Sequence, residues 1–181
     1  YRGIRYKGIV CDRCGVEINM KNVRRERMGH ISLCVPVVHI WYFRSLPSKI
    51  GYVLGITSKD LEKIIYYESY VVINPGKSRF KKNELITEED YLEELAKMPE
   101  DNQFLDDDDK SKFLVDQGGK AIKEMLRRVV INEEVSRLRA ELQDEPSAVK
   151  KAENIKRLRV LESFKLKPDG KPNKPEWMVF D

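Results

Sequence analysis

The chain has 181 residues, of which 41% are hydrophobic and 35% are charged, and its formal net charge is +4. No apolar run approaches the roughly 18 residues of a membrane span, and no signal peptide is recognisable, so we expect a protein without membrane contacts. Three cysteines, a close pair and a single one, favour a reducing compartment and metal binding over a disulfide framework.

The most informative local feature is the cysteine pair in the run Cys11–Glu17, CDRCGVE. Two intervening residues allow both sulfurs to face one ion, and a structural zinc takes four ligands, commonly from two such pairs. The third cysteine, Cys34, lies in an apolar run and is expected to be a small buried hydrophobe. His30 and His39 lack the paired spacing of a zinc finger and are expected to be structural. The pair therefore predicts half of a zinc site, whose other half lies on another chain or before Tyr1.

Two other interpretations of the pair stay open. The two cysteines, Cys11 and Cys14, are either reduced thiols in a turn or a redox motif, although a redox motif needs a thioredoxin-like βαβ context that the sequence lacks. The chain also begins without Met, as a fragment would.

The first half of the chain is predicted to alternate short strands and short helices. Residues 31–43 are rich in β-branched and aromatic side chains, so we expect extended structure with an edge or a break at Pro36. The aromatic run Trp41–Phe43 is expected to pack in the core rather than stack on bases, because its neighbours are apolar. The remaining predicted elements are strands over Ile4–Val10, Val16–Ile18 and Tyr70–Ile73, a helix over Ser48–Leu54 ended by Gly55, and a helix over Ser58–Tyr67 capped by Thr57.

The second half is predicted to be mostly helical. Thr87 caps a helix over Glu88–Met98, an acidic surface loop follows over Asp101–Lys110, and Gly118-Gly119 precede a helix over Lys120–Val130. Two further helices are predicted over Glu133–Gln143 and Ser147–Lys165, and their narrow apolar stripes favour an antiparallel two-helix coiled coil over a broad core. The stripe of the last helix is Ala148, Ala152, Ile155, Leu158 and Leu161. A Pro- and Gly-rich connector over Lys167–Pro175 follows.

Charge is distributed unevenly along the chain. Residues 1–50 carry ten Lys or Arg against three acids, whereas residues 84–109 carry twelve acids against Lys97. A surface that binds phosphate should therefore come from the N-terminal third. Its candidate residues are Arg13, Lys21, Arg24, Arg25 and Arg27, with Arg44, Lys49 and Lys59 as a second, weaker set. The alternatives to phosphate binding are that these cations form an ordinary solvated surface, or that arginines of the first set form ion pairs with Glu26.

An ordered set of motifs resembles the N-terminal part of the β′ (largest) subunit family of bacterial DNA-directed RNA polymerase. The match is strong over residues 1–75 and over the last ten, and looser between them. The motifs are the cysteine pair, Lys21–Ile31 (KNVRRERMGHI), Pro36–Phe43 (PVVHIWYF), Leu46–Gly51 (LPSKIG) and Asn173–Met178 (NKPEWM).

The resemblance implies an α+β fold in three segments. Residues 1–30 would form a truncated zinc ribbon with the basic segment, residues 31–130 a small mixed α/β clamp region, and residues 131–181 a C-terminal antiparallel helical hairpin with its connector. It also implies that Cys11 and Cys14 bind zinc together with an upstream cysteine pair that this chain lacks. We therefore expect the zinc site of the chain alone to be empty, distorted or completed from outside.

The resemblance further implies a role in holding nucleic acid during DNA-templated RNA synthesis. The arginine-rich segment would contact phosphates near the exiting RNA and upstream DNA, and the second cation set would face the downstream duplex. The aspartates that hold catalytic magnesium in this nucleotidyltransferase are absent, so this chain alone should not be catalytic. The implied partners are the β, α, ω and sigma subunits, template DNA and nascent RNA in the bacterial cytoplasm and nucleoid. A free-standing zinc-ribbon nucleic-acid-binding protein and a purely structural scaffold remain as alternatives.

Overall fold

The computed structural model describes residues 3–165 and 173–181 and divides the chain into two units, Tyr1–Ser32 and Leu33–Asp181. Helices and small antiparallel sheets occur together, which confirms the α+β class. In the described parts of the chain, no helix is long and apolar enough to cross a bilayer. The connector predicted over Lys167–Pro175 lies largely outside the described residues.

The N-terminal unit contains little regular structure. It has a 3₁₀ turn over Ile4–Tyr6, a single antiparallel bridge between Val10 and Glu17, and a short helix, α1 (Val23–Glu26). The predicted strands are thus reduced to this bridge and to backbone hydrogen bonds between the segments around Ile9 and Ile18. No side chain among residues 3–32 is fully buried. Burial of apolar area therefore contributes little to holding this unit together.

The second unit contains seven helices and five strands within the described residues, besides two 3₁₀ turns at Glu100–Gln103 and Pro175–Met178. In chain order, the elements are β1 (Val37–Val38), α2 (Ile40–Phe43), α3 (Lys49–Leu54), α4 (Ser58–Ile65), β2 (Tyr70–Asn74), β3 (Leu85–Ile86), α5 (Glu88–Lys97), β4 (Leu114–Asp116), α6 (Gly118–Arg127), α7 (Ile131–Asp144), α8 (Ala148–Glu162) and β5 (Val179–Phe180). Strand β1 pairs with β5, and a second sheet has the order β3-β2-β4. All of these pairings are antiparallel.

Helices α4 and α5 begin where the sequence predicts, and α3 begins at Lys49, one residue after its predicted start. The hydroxyl oxygens of Ser48, Thr57 and Thr87 each accept a hydrogen bond from the backbone N–H three residues on, at 3.2 Å in all three cases. These bonds satisfy N–H groups that a helix start otherwise leaves without a partner. Helix α3 ends at Gly55, whose φ of 70° is the left-handed conformation that glycine adopts readily.

The main core lies between α3, α4, α6 and the last two helices. Ile122, Met125 and Leu126 of α6 are buried there. The buried residues of α7 and α8 (Val135, Leu138 and Leu161) belong to the same core. A separate coiled-coil seam between α7 and α8 is therefore not what buries these residues. The segments predicted as 31–130 and 131–181 share one core.

A smaller core lies where α5 covers the three-stranded sheet. Val72, Ile86 and Phe113 are buried in it, and the ring of Tyr91 stacks on that of Tyr70 with centroids 5.2 Å apart. The side chain of Asn102 is buried beside it, where its Oδ1 accepts a hydrogen bond from the backbone N–H of Phe113 at 2.9 Å. The chain that carries the acidic loop is thereby fixed at its base.

Residues 31–43 depart from the predicted extended structure. Only Val37 and Val38 form a strand, and a helical turn begins at Ile40 because the His39 Nδ1 accepts a hydrogen bond from the Trp41 N–H at 3.0 Å. That turn buries Phe43 but leaves Trp41 76% exposed, so the expectation that Trp41 packs in the core is wrong. Cys34 is also exposed, which corrects its interpretation as a small buried hydrophobe.

Two adjacent glycines let neighbouring segments approach α6 closely. Gly118 has a φ of 70°, and a Cβ there would lie 2.4 Å from the Tyr67 ring. A Cβ on Gly119 would lie 2.1 Å from the carbonyl oxygen of Pro36. Strand β1 can therefore lie against the start of α6 only if residue 119 has no side chain.

Candidate functional site

The cysteine pair lies on a turn that its own backbone holds closed. The N–H of Gly15 donates to the Cys11 carbonyl at 2.8 Å, and the N–H of Cys11 donates to the Val16 carbonyl at 2.9 Å. Gly15 has a φ of 70°, which a residue with a side chain adopts only with strain. This turn places Cys11 and Cys14 on one knuckle of the chain.

The turn also favours the thiolate form of its first cysteine. Backbone N–H groups of Cys14 and then of Arg13 lower the pKa of Cys11, with a further contribution from the Cys14 thiol. Cys11 is half-buried and Cys14 is exposed. Because the thiolate is the form that binds metal, the knuckle is suited to donate two sulfurs to one ion.

These donors fit half of a structural zinc site. A four-ligand thiolate site needs two more donors, and no group of three His, Cys, Asp or Glu residues within residues 3–165 and 173–181 is arranged to hold a metal. The two thiols therefore match two of the four donors that such a site requires.

The first set of predicted cations lies in the same unit as the cysteines. Arg24 and Arg25 are exposed on α1, and Arg13 and Lys21 are exposed before it. In the described part of the chain, no carboxylate lies within ion-pair distance of these four residues, so their charges are available to an external anion. The predicted alternative of ion pairs with Glu26 does not occur there.

Arg27 differs from the other members of the first set. Its guanidinium pairs with the carboxylate of Glu17 at 3.3 Å, and both side chains are largely exposed. This contact joins the end of α1 to the segment that follows the cysteine knuckle. The charge of Arg27 is therefore partly neutralised, unlike the charges of the other members of the set.

The second set lies in the other unit and is partly neutralised. Arg44 pairs with Glu62 at 2.6 Å, and hydrogen bonding to Tyr66 and then to Glu62 raises the pKa of the guanidinium. Lys49 lies over the ring of Tyr42 at 5.3 Å. Lys59 is exposed. The structure thus does not assemble these three cations into one free patch.

The sequence did not single out a third group of cations, which holds the acidic loop. Arg127 pairs with Asp108 at 2.6 Å, Lys112 pairs with Asp107 at 2.6 Å, and Arg128 lies 3.5 Å from Asp108. The loop therefore contacts the C-terminal end of α6 through ion pairs, while its aspartates remain largely exposed to solvent. The four consecutive aspartates of the loop and the later Arg127-Arg128 pair carry opposite charges. No short-range sequence pattern predicts that they contact each other.

Comparisons with known proteins agree with one another. The family model described as RNA polymerase Rpb1, domain 1, matches residues 3–181. The chain is 53% identical over 182 residues to the DNA-directed RNA polymerase subunit beta' of Salinibacter ruber, covering 99% of this chain and 13% of that protein. The corresponding subunits of Azobacteroides pseudotrichonymphae and Flavobacterium psychrophilum are 54% and 51% identical, with the same coverage. The chain thus spans about 13% of the length of these curated relatives.

Proposed function

The chain belongs to the RNA polymerase Rpb1 domain 1 family, and from that membership we propose that it is the clamp and zinc-ribbon segment of a bacterial β′ subunit. The observation that carries this proposal is identity of about half the residues over 99% of the chain. The parent enzyme would be the nucleotidyltransferase that makes RNA on a DNA template, in the bacterial cytoplasm. Its β, α, ω and sigma subunits would be partners, and its catalytic magnesium would be bound outside this chain.

Within that enzyme, the segment would hold nucleic acid by charge. Arg24 and Arg25 support this role because they are exposed, adjacent and without a carboxylate partner in the described residues. Contacts between such cations and phosphates release counterions and do not depend on base sequence. Arg13 and Lys21 would add to the same positive electrostatic potential. Arg44, Lys49 and Lys59 would contribute less to phosphate binding.

The test uses the assembled polymerase with the full-length subunit. Reversing both charges (Arg24→Glu and Arg25→Glu) should shorten the lifetime of the transcribing complex as salt rises. It should also reduce the slope of log lifetime against log salt concentration by about one for each phosphate that the variant no longer neutralises. A matched control reverses Lys81 and Lys82, an adjacent exposed pair outside the site. Equal lifetimes for the arginine variant and wild type at every salt concentration would contradict the proposal.

We further propose that Cys11 and Cys14 donate two of the four ligands of a structural zinc, with the other two outside this chain. The lowered pKa of Cys11 and the shape of the knuckle support this assignment. Two thiolates hold zinc far more weakly than four, so elemental analysis of the 181-residue chain should find less than one zinc, removable by a chelator. One tightly held zinc in every chain would show that the site is complete without outside ligands.

We also propose that α7 and α8 form an antiparallel hairpin. Only residues 145–147 separate the two helices, and the buried residues of α7 and α8 belong to one core. Spin labels at Ile131 and Glu162 should then lie close together. If α7 and α8 instead formed one continuous helix or diverged from each other, the two labels would lie far apart.

A further inference from the structure

The apolar stripe of helix α8 is covered by the core in its C-terminal half, and its N-terminal half has no covering element among the described residues. Its C-terminal half turns Leu158 and Leu161 toward the core, and Leu161 is fully buried. Its N-terminal half leaves the rest of the predicted stripe in solvent, with Ile155 39% exposed and Ala148 and Ala152 exposed. Val149 on the same side is 78% exposed. The first two turns of α8 therefore present small apolar side chains to solvent.

This face borders a groove. One hollow is lined by Tyr52 and by five exposed residues of α8, and a second hollow continues from it to the Leu46-Pro47 turn. The two hollows share Tyr52 and Glu153, and Leu46 at the far end is 96% exposed. We call this feature the α8 groove, and its lining includes Leu46, Tyr52, Val149, Ala152 and Lys156.

The walls of the α8 groove are fixed by one side chain. The Nε of Arg157 donates a hydrogen bond to the Tyr52 carbonyl at 2.7 Å, and its guanidinium pairs with Glu134 at 3.4 Å. Its guanidinium also packs against Gly55, where a Cβ would lie 2.9 Å from Nη2. Arg157 thus ties α8 to α3 and α7, so the groove exists before any partner binds.

Helix α8, which forms one wall of the groove, carries mostly positive charge on its exposed side chains. Lys150, Lys151, Lys156 and Arg159 are exposed and have no carboxylate within ion-pair distance in the parts of the chain that the structure describes. Lys156 and the unpaired acid Glu153 line the groove, the other three cations lie elsewhere on α8, and Glu162 pairs with Arg139. A ligand that fills the groove should therefore be apolar along one side and acidic along its flanks.

We propose that the α8 groove is a docking site for an acidic amphipathic helical segment of another protein. Apolar anchors spaced three, four and seven residues apart would lie over Val149, Ala152 and Tyr52, and acidic flanks would meet the four cations. Nucleic acid fits this surface less well, because phosphates would leave the exposed apolar residues uncovered. A second copy of this chain would bring an equally basic helix against α8, which like charges oppose.

The binding test uses the assembled polymerase and a synthetic peptide. The probe is a 16-residue helix of Leu, Ala and Glu with leucines at helical spacing, labelled for fluorescence anisotropy. Its controls are a scrambled peptide of the same composition and one with Lys in place of every Glu. Saturable binding of the probe, at least about tenfold tighter than either control, is expected. Equal binding of the scrambled peptide, or no saturable binding at all, would overturn the proposal.

Variants of the subunit show where the peptide binds. The double variant Val149→Glu/Ala152→Glu should lower the affinity for the probe about tenfold or more, because both residues are anchors at the centre of the groove. Val130→Glu is the matched control, since Val130 is an exposed valine outside the groove (53%). Unchanged affinity in the Val149→Glu/Ala152→Glu variant would overturn the proposal. RNA synthesis by both variants establishes that the enzyme is folded.

A photo-cross-linking amino acid at position 149 then identifies the occupant in cells. Cross-links that map to an acidic, amphipathic segment of another polypeptide, and that Lys156→Glu reduces, support the proposal. Cross-links to nucleic acid, to a second copy, or to another part of the same subunit would overturn it. So would the absence of any cross-link in actively transcribing cells.

Discussion

Replacing Gly119 with alanine should push β1 away from α6. A Cβ at this position would lie 2.1 Å from the Pro36 carbonyl oxygen, whereas ordinary contacts begin at 3.4 Å. The backbone must therefore yield by roughly 1 Å, and overpacking of this kind costs about 1–3 kcal/mol. Alanine would otherwise favour the helix by up to about 1 kcal/mol, so the sign of the effect tests the close approach directly.

The measurement is urea and thermal unfolding of the 181-residue chain, followed by tryptophan fluorescence. Both tryptophans, Trp41 and Trp177, belong to the second unit and flank the β1–β5 pair. A net loss of about 1–2 kcal/mol should lower Tm by about 2–8 °C for a chain of this size. Gly29→Ala is the control, because nothing lies within 4 Å of its Cβ position. An unchanged or raised Tm for Gly119→Ala would refute the packing argument.

Three further predictions concern other parts of the chain. Leu161→Ala should lower the free energy of unfolding by about 2–5 kcal/mol, whereas Val149→Ala on the exposed side of α8 should change it by less than about 0.5 kcal/mol; similar losses in urea unfolding would mean that the faces of α8 are misassigned. Hydrogen bonds from Arg127 lower the pKa of Glu124 against the opposing effect of burial, so its contribution to stability is present above the unfolded pKa of about 4.3 and is lost as the pH falls through the lower folded value. Glu124→Gln should therefore flatten the fall in Tm between about pH 5 and pH 3, and an unchanged pH profile would speak against this ion pair. Cys34 is exposed and should react with iodoacetamide without denaturant, as followed by mass spectrometry; protection until unfolding would restore its interpretation as a buried residue.

Features that depend on local hydrogen bonds could be predicted from the sequence. Ser48, Thr57 and Thr87 each satisfy a backbone N–H three residues away, so their roles need no knowledge of the tertiary structure. The αL end of α3 at Gly55 follows from the same local logic. The cysteine knuckle is likewise local, because its bonds lie within a few residues.

Features that depend on distant packing could not be predicted in this way. Apolar neighbours suggested that Trp41 is buried, but the His39 cap starts a helical turn that leaves its ring in solvent. The stripe on α8 has helical periodicity throughout, yet only its C-terminal half meets the core, and Ala152 and Ile155 remain exposed. Periodicity identifies an apolar face without saying which of its residues are covered.

The N-terminal unit shows a different limit. Ile4, Met28 and Ile31 are 91%, 98% and 89% exposed, and no residue among 3–32 is fully buried. The sequence identifies the two thiols and the arginines of this unit, but under the proposed function the geometry of the zinc site depends on donors outside this chain. The donor and cationic residues of the site can therefore be predicted from the sequence, whereas the remaining ligands of the metal cannot.

The zinc content of the assembled polymerase is the sharpest test of a metal site that Cys11 and Cys14 share with donors outside this chain. In that enzyme, Cys11→Ser in the full-length subunit should remove about one zinc ion, because a knuckle with one thiolate cannot complete a four-ligand site. Cys34→Ser, a change to an exposed cysteine outside the knuckle, should leave the zinc content unchanged. Full zinc in the Cys11→Ser enzyme, or an equal loss in both variants, would contradict the assignment of this chain as half of a shared metal site.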